Sequence, residues 1–209
     1  MNTSLRKKGF TLIEMLVVIA ILALLSSIIV PAVSGALRRA RAMACLSNLR
    51  SLGTATYSYA VDNQGEIPFV YTPGGEGLGF AEPPWFKLLA PYVAAEVRTN
   101  ISLEEGTDKT FRCPEQEGDF AISYGPSSGA FMDGYRLNIS DISAPAQKVW
   151  LLDVPPGKVY FFNPALPSVS WTDPRHRNKS HALFFDGHVS ALTPEEIEDS
   201  RSSLFKPTR

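Results

Sequence analysis

From Phe10 to Val30 the chain runs for 21 residues without Lys, Arg or Asp and with a single acid, Glu14. An α-helix rises about 1.5 Å per residue, so this stretch would be roughly 30 Å long, the thickness of a bilayer's hydrocarbon core. A helix that is apolar on every side cannot face water and must lie in protein or in lipid. The flanks separate the ways in which it can be used. The run is too long for the core of an ordinary secretory signal, and its small pair, Ser26-Ser27, sits inside the run rather than after it. A plain anchor accounts for the apolar residues but leaves the Glu14 carboxylate in hydrocarbon, at a cost of a few kcal/mol, unless the group reaches the headgroup zone or finds a cationic partner.

The tract Arg6-Lys7-Lys8-Gly9-Phe10-Thr11-Leu12-Ile13-Glu14, continued by MLVVIAILALL, closely resembles the leader and first helix of type IV prepilins and type II secretion pseudopilins. The resemblance implies that a membrane prepilin peptidase cuts between Gly9 and Phe10 and methylates the new amine of Phe10. It also implies that Glu14, the fifth residue after the cut, pairs with the terminal amine of a neighbouring subunit during assembly. The physics is consistent with that role. A carboxylate and an ammonium are each unfavourable alone in a low-dielectric medium and much less so together, so their pairing can set the axial register between subunits. Charge gives no orientation, because the three cations before the span are matched by Arg38, Arg39 and Arg41 after it. The resemblance implies a single-pass protein of the bacterial inner membrane, with a cytoplasmic leader and a head that is periplasmic or carried on a surface filament. Its partners would be the peptidase/methyltransferase, other pilin or pseudopilin subunits and inner-membrane lipid.

Pro31 removes a backbone donor and is expected to kink or locally melt the helix. Beyond it, Leu37, Ala40, Ala44, Leu46, Leu49, Leu52, Ala55 and Tyr59 recur at three- and four-residue steps, the pattern of an amphipathic helix. The helix is therefore expected from Leu12 to Val61, weakened slightly by Gly53 and closed by Asp62-Asn63-Gln64-Gly65, with the glycine as a left-handed cap. The organisation read from the chain is a leader at 1–9, a membrane helix at 10–30, an amphipathic stalk at 31–62 and a globular head at 63–209. The fold class is α+β and pilin-like: a long helix packed on a small antiparallel sheet.

In the head, Pro and Gly between Pro68 and Pro84 predict an irregular excursion. WFKLLAPYV predicts a short helix with Trp85, Leu88, Leu89 and Tyr92 inward, and Phe111 to Pro114 an extended piece entering a turn. Lys148 to Val154 and Lys158 to Phe162 read as strands. In HALFFDGHVSAL two apolar runs flank Asp186-Gly187, the signature of a hairpin with a tight two-residue turn. Thr193-Pro194-Glu195-Glu196 is a helix-start pattern. CLSNLRSLGTATYSYAVDNQGEIP and RHRNKSHALFFDGHV are similar to stretches of one bacterial subgroup of prepilin-like proteins, whose motif is a His, nine residues, then Asp-Gly. Here that motif falls on His176, Asp186 and Gly187.

Three histidines, His176, His181 and His188, fall within 13 residues near Asp173 and Asp186. Imidazoles with a carboxylate form a candidate transition-metal set, drawn from His176, His181, His188 and Asp186. The competing reading gives these residues to hydrogen bonding and turn geometry. Calcium, bound through acidic loops in some pseudopilins, is the other ion to consider, and no cofactor is demanded. No activated-nucleophile pattern, phosphate loop or HExxH motif occurs, so an enzyme is not expected. The formal charge of −1, which becomes −4 on loss of Arg6, Lys7 and Lys8, gives no footprint for nucleic acid. Export, as the resemblance implies, would allow Cys45 and Cys113 to bridge; the alternative is two separate thiols. Two functions remain: a structural subunit of a pilus-like or pseudopilus-like assembly, or a tethered extracytoplasmic module that binds a surface polymer or small ligand and uses the helix only as an anchor.

Overall fold

A computed structural model describes residues 10–68, 85–93, 109–118, 122–127, 137–156 and 172–199. The leader through Gly9, the Lys158–Phe162 run, the excursion from residue 69 to 84 and the tail from residue 200 lie outside these residues. The long helix α1 spans Leu12–Asp62 and continues through Pro31. The proline costs one backbone bond, to the Ser27 carbonyl, and does not end the helix as a local melt would. By internal contacts the chain divides within α1, into residues 1–40 and residues 41–209.

In the first unit α1 is an apolar rod whose large side chains are exposed around its whole circumference, from Leu12 at 83% through Ile19 at 63% to Ile28 at 66%. Exposure of this extent and composition is unfavourable in water and ordinary in lipid. Among the described residues, α1 is the one helix long and apolar enough to cross a membrane.

In the second unit α1 changes character. Cys45, Leu49, Leu52, Gly53, Ala55, Thr56 and Ala60 are buried. The expected stripe is thus rotated: Leu37 and Ala40 are exposed, Ala44, Leu46 and Tyr59 are half-buried, and Cys45, Thr56 and Ala60 face inward. The helix ends as a left-handed cap in which Gln64 (φ 57°) and Gly65 (φ 87°) both adopt positive φ and the Gly65 N–H reaches the Ala60 carbonyl at 2.7 Å.

Among the described residues four strands follow: β1 (Tyr124–Pro126), β2 (Val149–Asp153), β3 (Ser180–Phe184) and β4 (Val189–Leu192), all antiparallel in the order β1-β2-β3-β4. One face of the sheet joins α1 and a short helix α2 (Trp85–Val93) in the main core, where Leu49, Leu52, Trp85, Phe86, Phe111, Trp150, Leu151 and Leu183 are fully buried. In α2 the inward residues are Trp85, Phe86, Leu89 and Ala90, while Leu88 and Tyr92 are half-buried. The opposite face packs Val149, Leu152, Ala182 and Phe184 against Ile197 of α3 (Pro194–Asp199). A register shift between Val149 and Leu151 lets two successive residues, Trp150 and Leu151, face the main core. Gly53 has a positive reason to be glycine, since a Cβ there would meet Leu183 Cδ1 at 3.0 Å.

In the stretch Phe111 to Pro114 the chain turns at Pro114 as expected, but Phe111 is not extended and closes a 3-10 turn, Lys109–Phe111. Asn48 fixes it by donating its Nδ2 to the carbonyls of Lys109 (3.1 Å) and Arg112 (2.9 Å). The β3–β4 hairpin has a three-residue loop, Phe185-Asp186-Gly187, in which Gly187 (φ 89°) takes positive φ and Asp186 does not. Gly187 N–H bonds the Phe184 carbonyl at 3.0 Å and Phe184 N–H bonds that of His188 at 2.9 Å, a type I turn followed by a glycine bulge.

Candidate functional site

Two places concentrate polar chemistry on otherwise apolar surroundings: the start of α1 and a buried cluster in the head.

At the start of α1, Thr11 and Glu14 cap the helix reciprocally. The Thr11 amide and hydroxyl both donate to Glu14 Oε2, at 2.8 and 2.7 Å, and the Glu14 amide approaches Thr11 Oγ1 at 3.4 Å. This is a capping box, and its Thr-x-x-Glu spacing is visible in the sequence, with Thr11 an additional functional residue at the helix start. It accounts locally for an acid at this place, because a carboxylate beside the unpaired N–H groups of a helix start is favoured by hydrogen bonding and by the helix dipole. Phe10 lies just before the cap and is 74% exposed.

In the head, a disulfide joins Cys45 of α1 to Cys113, with the two Cα atoms 4.9 Å apart and 68 positions apart in sequence. Immediately beside it lies His176. It sits on a tight turn closed by the paired bonds His176 N–H to Lys179 O (3.1 Å) and Lys179 N–H to His176 O (3.2 Å). The two intervening residues, Arg177 (φ 54°) and Asn178 (φ 61°), both take positive φ, as a type I′ turn requires. The two-residue turn expected at Asp186-Gly187 therefore occurs nine positions earlier, on residues without a glycine signal.

The turn aims the His176 ring into the head. Its Nδ1 contacts the Glu115 carboxylate, and its Nε2 lies 3.3 Å from Asp153 Oδ2 and 3.4 Å from Cys113 Sγ. Asp153 ends β2 with no exposed side-chain surface and accepts the His181 backbone N–H at 2.7 Å. The rings of His176 and His181 stack at 3.7 Å. Burial pushes the His181 imidazole down to about 4, against the pull of Asp153 and with help from His176 and Arg175. At neutral pH it is therefore an uncharged ring. Arg175 is engaged with the carbonyl of Val154 (2.5 Å), Gln116 Oε1 (3.2 Å) and Asp173 (3.2 Å). Burial raises the Asp173 carboxyl, with Arg175 opposing.

His188 and Asp186 are brought together elsewhere, at the tip of the hairpin. Asp186 Oδ1 lies 3.0 Å from the His188 backbone N and 2.5 Å from its Nδ1. Burial tends to raise the Asp186 carboxyl, but these contacts outweigh it and hold the group below its ordinary value. The His188 ring stacks on Phe184, which belongs to the core on the α3 side, whereas His181 shares the parity of Leu183 on the α1 side. The four residues His176, His181, His188 and Asp186 thus do not form one set. The acid that joins His176 and His181 is Asp153, with Glu115 behind it. Sequence reasoning missed both, although an Asp closing the apolar run Val149-Trp150-Leu151-Leu152 was a readable signal.

Residues 4–30 match the family described as the prokaryotic N-terminal methylation motif. Over 58 residues the chain is 41% identical to the type II secretion system core protein G of Pectobacterium carotovorum subsp. carotovorum, a stretch covering 28% of this chain and 37% of that relative. No solved structure matches. The motif and the relative support a prepilin- or pseudopilin-like protein, and the small antiparallel sheet with its long amino-terminal helix is consistent with a pilin-like α+β fold. The motif and the apolar helix also fit an inner-membrane-anchored pseudopilin.

Proposed function

We propose that this chain is a structural subunit of a type IV pilus-like or type II secretion pseudopilus-like assembly, cut by a prepilin peptidase between Gly9 and Phe10, methylated on Phe10 and assembled through α1. The observation that carries the reading is the methylation motif at residues 4–30 running into a helix whose apolar side chains are exposed all round. Lateral packing of such helices, in the membrane and then in a filament, covers that surface. The head stands outside the membrane, the leader faces the cytoplasm, and the partners are the peptidase, the lipid of the inner membrane and other pilin-like subunits. Relatives of this kind are structural subunits, and an assembly role needs no catalysis by the head.

Glu14 is the assembly residue in this reading. Within one subunit its carboxylate caps α1 through Thr11. Beside it, the amine of a neighbouring Phe10 would be a cation that a helix start lacks. Glu14→Ala, expressed with the peptidase, is expected to be processed and membrane-bound but missing from sheared filaments or from detergent-resistant multimers. Incorporation at the parent's level would count against assembly and favour a head tethered by its helix for binding alone.

A further inference from the structure

We propose that Asp153, His176 and His181 form a binding site for a divalent transition cation of the zinc type, with Glu115 positioning His176. One ligand atom from each of the three residues lies within 4.8 Å of the others, and all three residues are buried. Two imidazoles and a carboxylate are a donor set suited to zinc and cobalt.

The contacts around the ring of His176 give it a direction. Glu115 takes Nδ1, which leaves Nε2 to face Asp153 at 3.3 Å. A carboxylate behind a histidine is the arrangement that fixes the tautomer and orientation of metal-binding imidazoles. If Nε2 carries its lone pair, it and Asp153 Oδ2 are two acceptors facing each other, and some cation must lie between them. A proton would satisfy this one contact. It would leave unanswered two further atoms of the same cluster, Asp153 Oδ1 and His181 Nδ1, both buried without a hydrogen-bond partner. A metal ion takes ligands from all three residues at once.

Charge points the same way. Arg175 is engaged by Asp173 at 3.2 Å, while the two carboxylates of Glu115 and Asp153 both face His176. A divalent ion matches their combined charge. The second candidate group, Cys45, Cys113 and His176, is set aside by the bond between its two sulfurs. The stacked rings, 10° from parallel, direct their lone pairs side by side, so loading requires one ring to tilt out of the stack. The ion would tie together the end of β2, the start of β3 and the turn at residues 176–179.

The test uses the full chain in detergent with its disulfide intact, stripped with chelator and then titrated with Co2+ or Zn2+. One equivalent of ion is expected, with visible Co2+ absorption bands. Asp153→Asn and His181→Gln should each weaken binding at least about 100-fold, and Glu115→Gln should weaken it about 10- to 100-fold, with circular dichroism showing that each variant is folded. A measurement that needs no variant runs beside it: Zn2+ should shift ring nitrogens of both His176 and His181 in nitrogen NMR. The site is overturned if the parent retains no ion, if folded Asp153→Asn binds as tightly as the parent, if neither ring responds to Zn2+, or if an ion is held only after reduction and lost in Cys113→Ser. The last result would assign the ion to the thiols.

Discussion

Trp150, on the central strand β2, donates its indole N–H to the hydroxyl of Thr56 at 2.9 Å, on the face of α1 that the sheet covers. Both residues are buried, and the Thr56 hydroxyl in turn donates to the Leu52 carbonyl at 2.8 Å. The bond therefore links helix to sheet through the middle of the main core, where Trp150 also stacks on Phe185 and meets Trp85 edge-on. Thr56→Val keeps the side chain's shape but strands the indole N–H in an apolar site. A loss of about 1–3 kcal/mol is expected, read as a lowered denaturation midpoint of the full chain in detergent. Thr56→Ser, which keeps the acceptor, should lose less.

The Cys45–Cys113 disulfide fastens the stalk helix to the head across 68 positions. On the chain-entropy account, closing a loop of that length removes about 4 kcal/mol of freedom from the unfolded chain. Reduction, or the Cys45→Ser, Cys113→Ser pair, should lower stability by an amount of that order. The measurement is denaturant unfolding with and without reductant, and an unchanged midpoint would show that the bridge contributes nothing.

How far the sequence discloses this molecule depends on the range of the interactions. The 51-residue helix α1 is legible because an unbroken apolar run and then a three-four periodicity are local signals, and the β3–β4 hairpin is legible because apolar runs flank a turn pair. What escapes depends on contacts between distant segments. The stripe on α1 is rotated because Thr56 is drawn inward by Trp150 and Cys45 by Cys113, neither visible from periodicity. The histidines cluster in sequence, but strand parity separates them. His181 shares a side with Leu183, while His188, beyond a three-residue loop, stacks on Phe184 on the opposite side. The acids that meet His176 come from positions 115 and 153, which no spacing rule connects to it.

At Gly53, α1 comes close against Leu183 of β3. A Cβ there would stand 3.0 Å from Leu183 Cδ1 and 3.8 Å from the Gly187 backbone. Gly53→Ala gains helix propensity of about 1 kcal/mol against a small displacement of Leu183, so its effect should be slight. Gly53→Val adds a whole isopropyl group to a filled space and should cost about 1–3 kcal/mol. Trimming the neighbour in Gly53→Val, Leu183→Ala should return part of that loss relative to the sum of the single variants, a coupling that a double-mutant cycle measures.

Processing makes a prediction about mass alone. The mature chain, isolated from cells that carry a prepilin peptidase, should begin at Phe10 with one added methyl on its amine. Peptide mass spectrometry reads both at once. Recovery of the chain with its leader intact from such cells would leave α1 as an anchor only.

The hairpin tip should respond to acid. Asp186 takes the backbone N–H and ring of His188 as partners, and despite the opposing effect of burial its carboxyl titrates below the ordinary 3.8. A carboxyl with a depressed folded-state value stabilises the fold at pH above its unfolded value, and that contribution disappears as pH falls through the folded one. The difference in melting temperature between the parent and Asp186→Asn should therefore be full at neutral pH and begin to close below about 3.8. The group is largely open to solvent, so the difference should also shrink in high salt. A gap that stays constant down to pH 2.5 or so would mean that Asp186 acts through turn geometry, which Asn can reproduce only in part, and not through its charge.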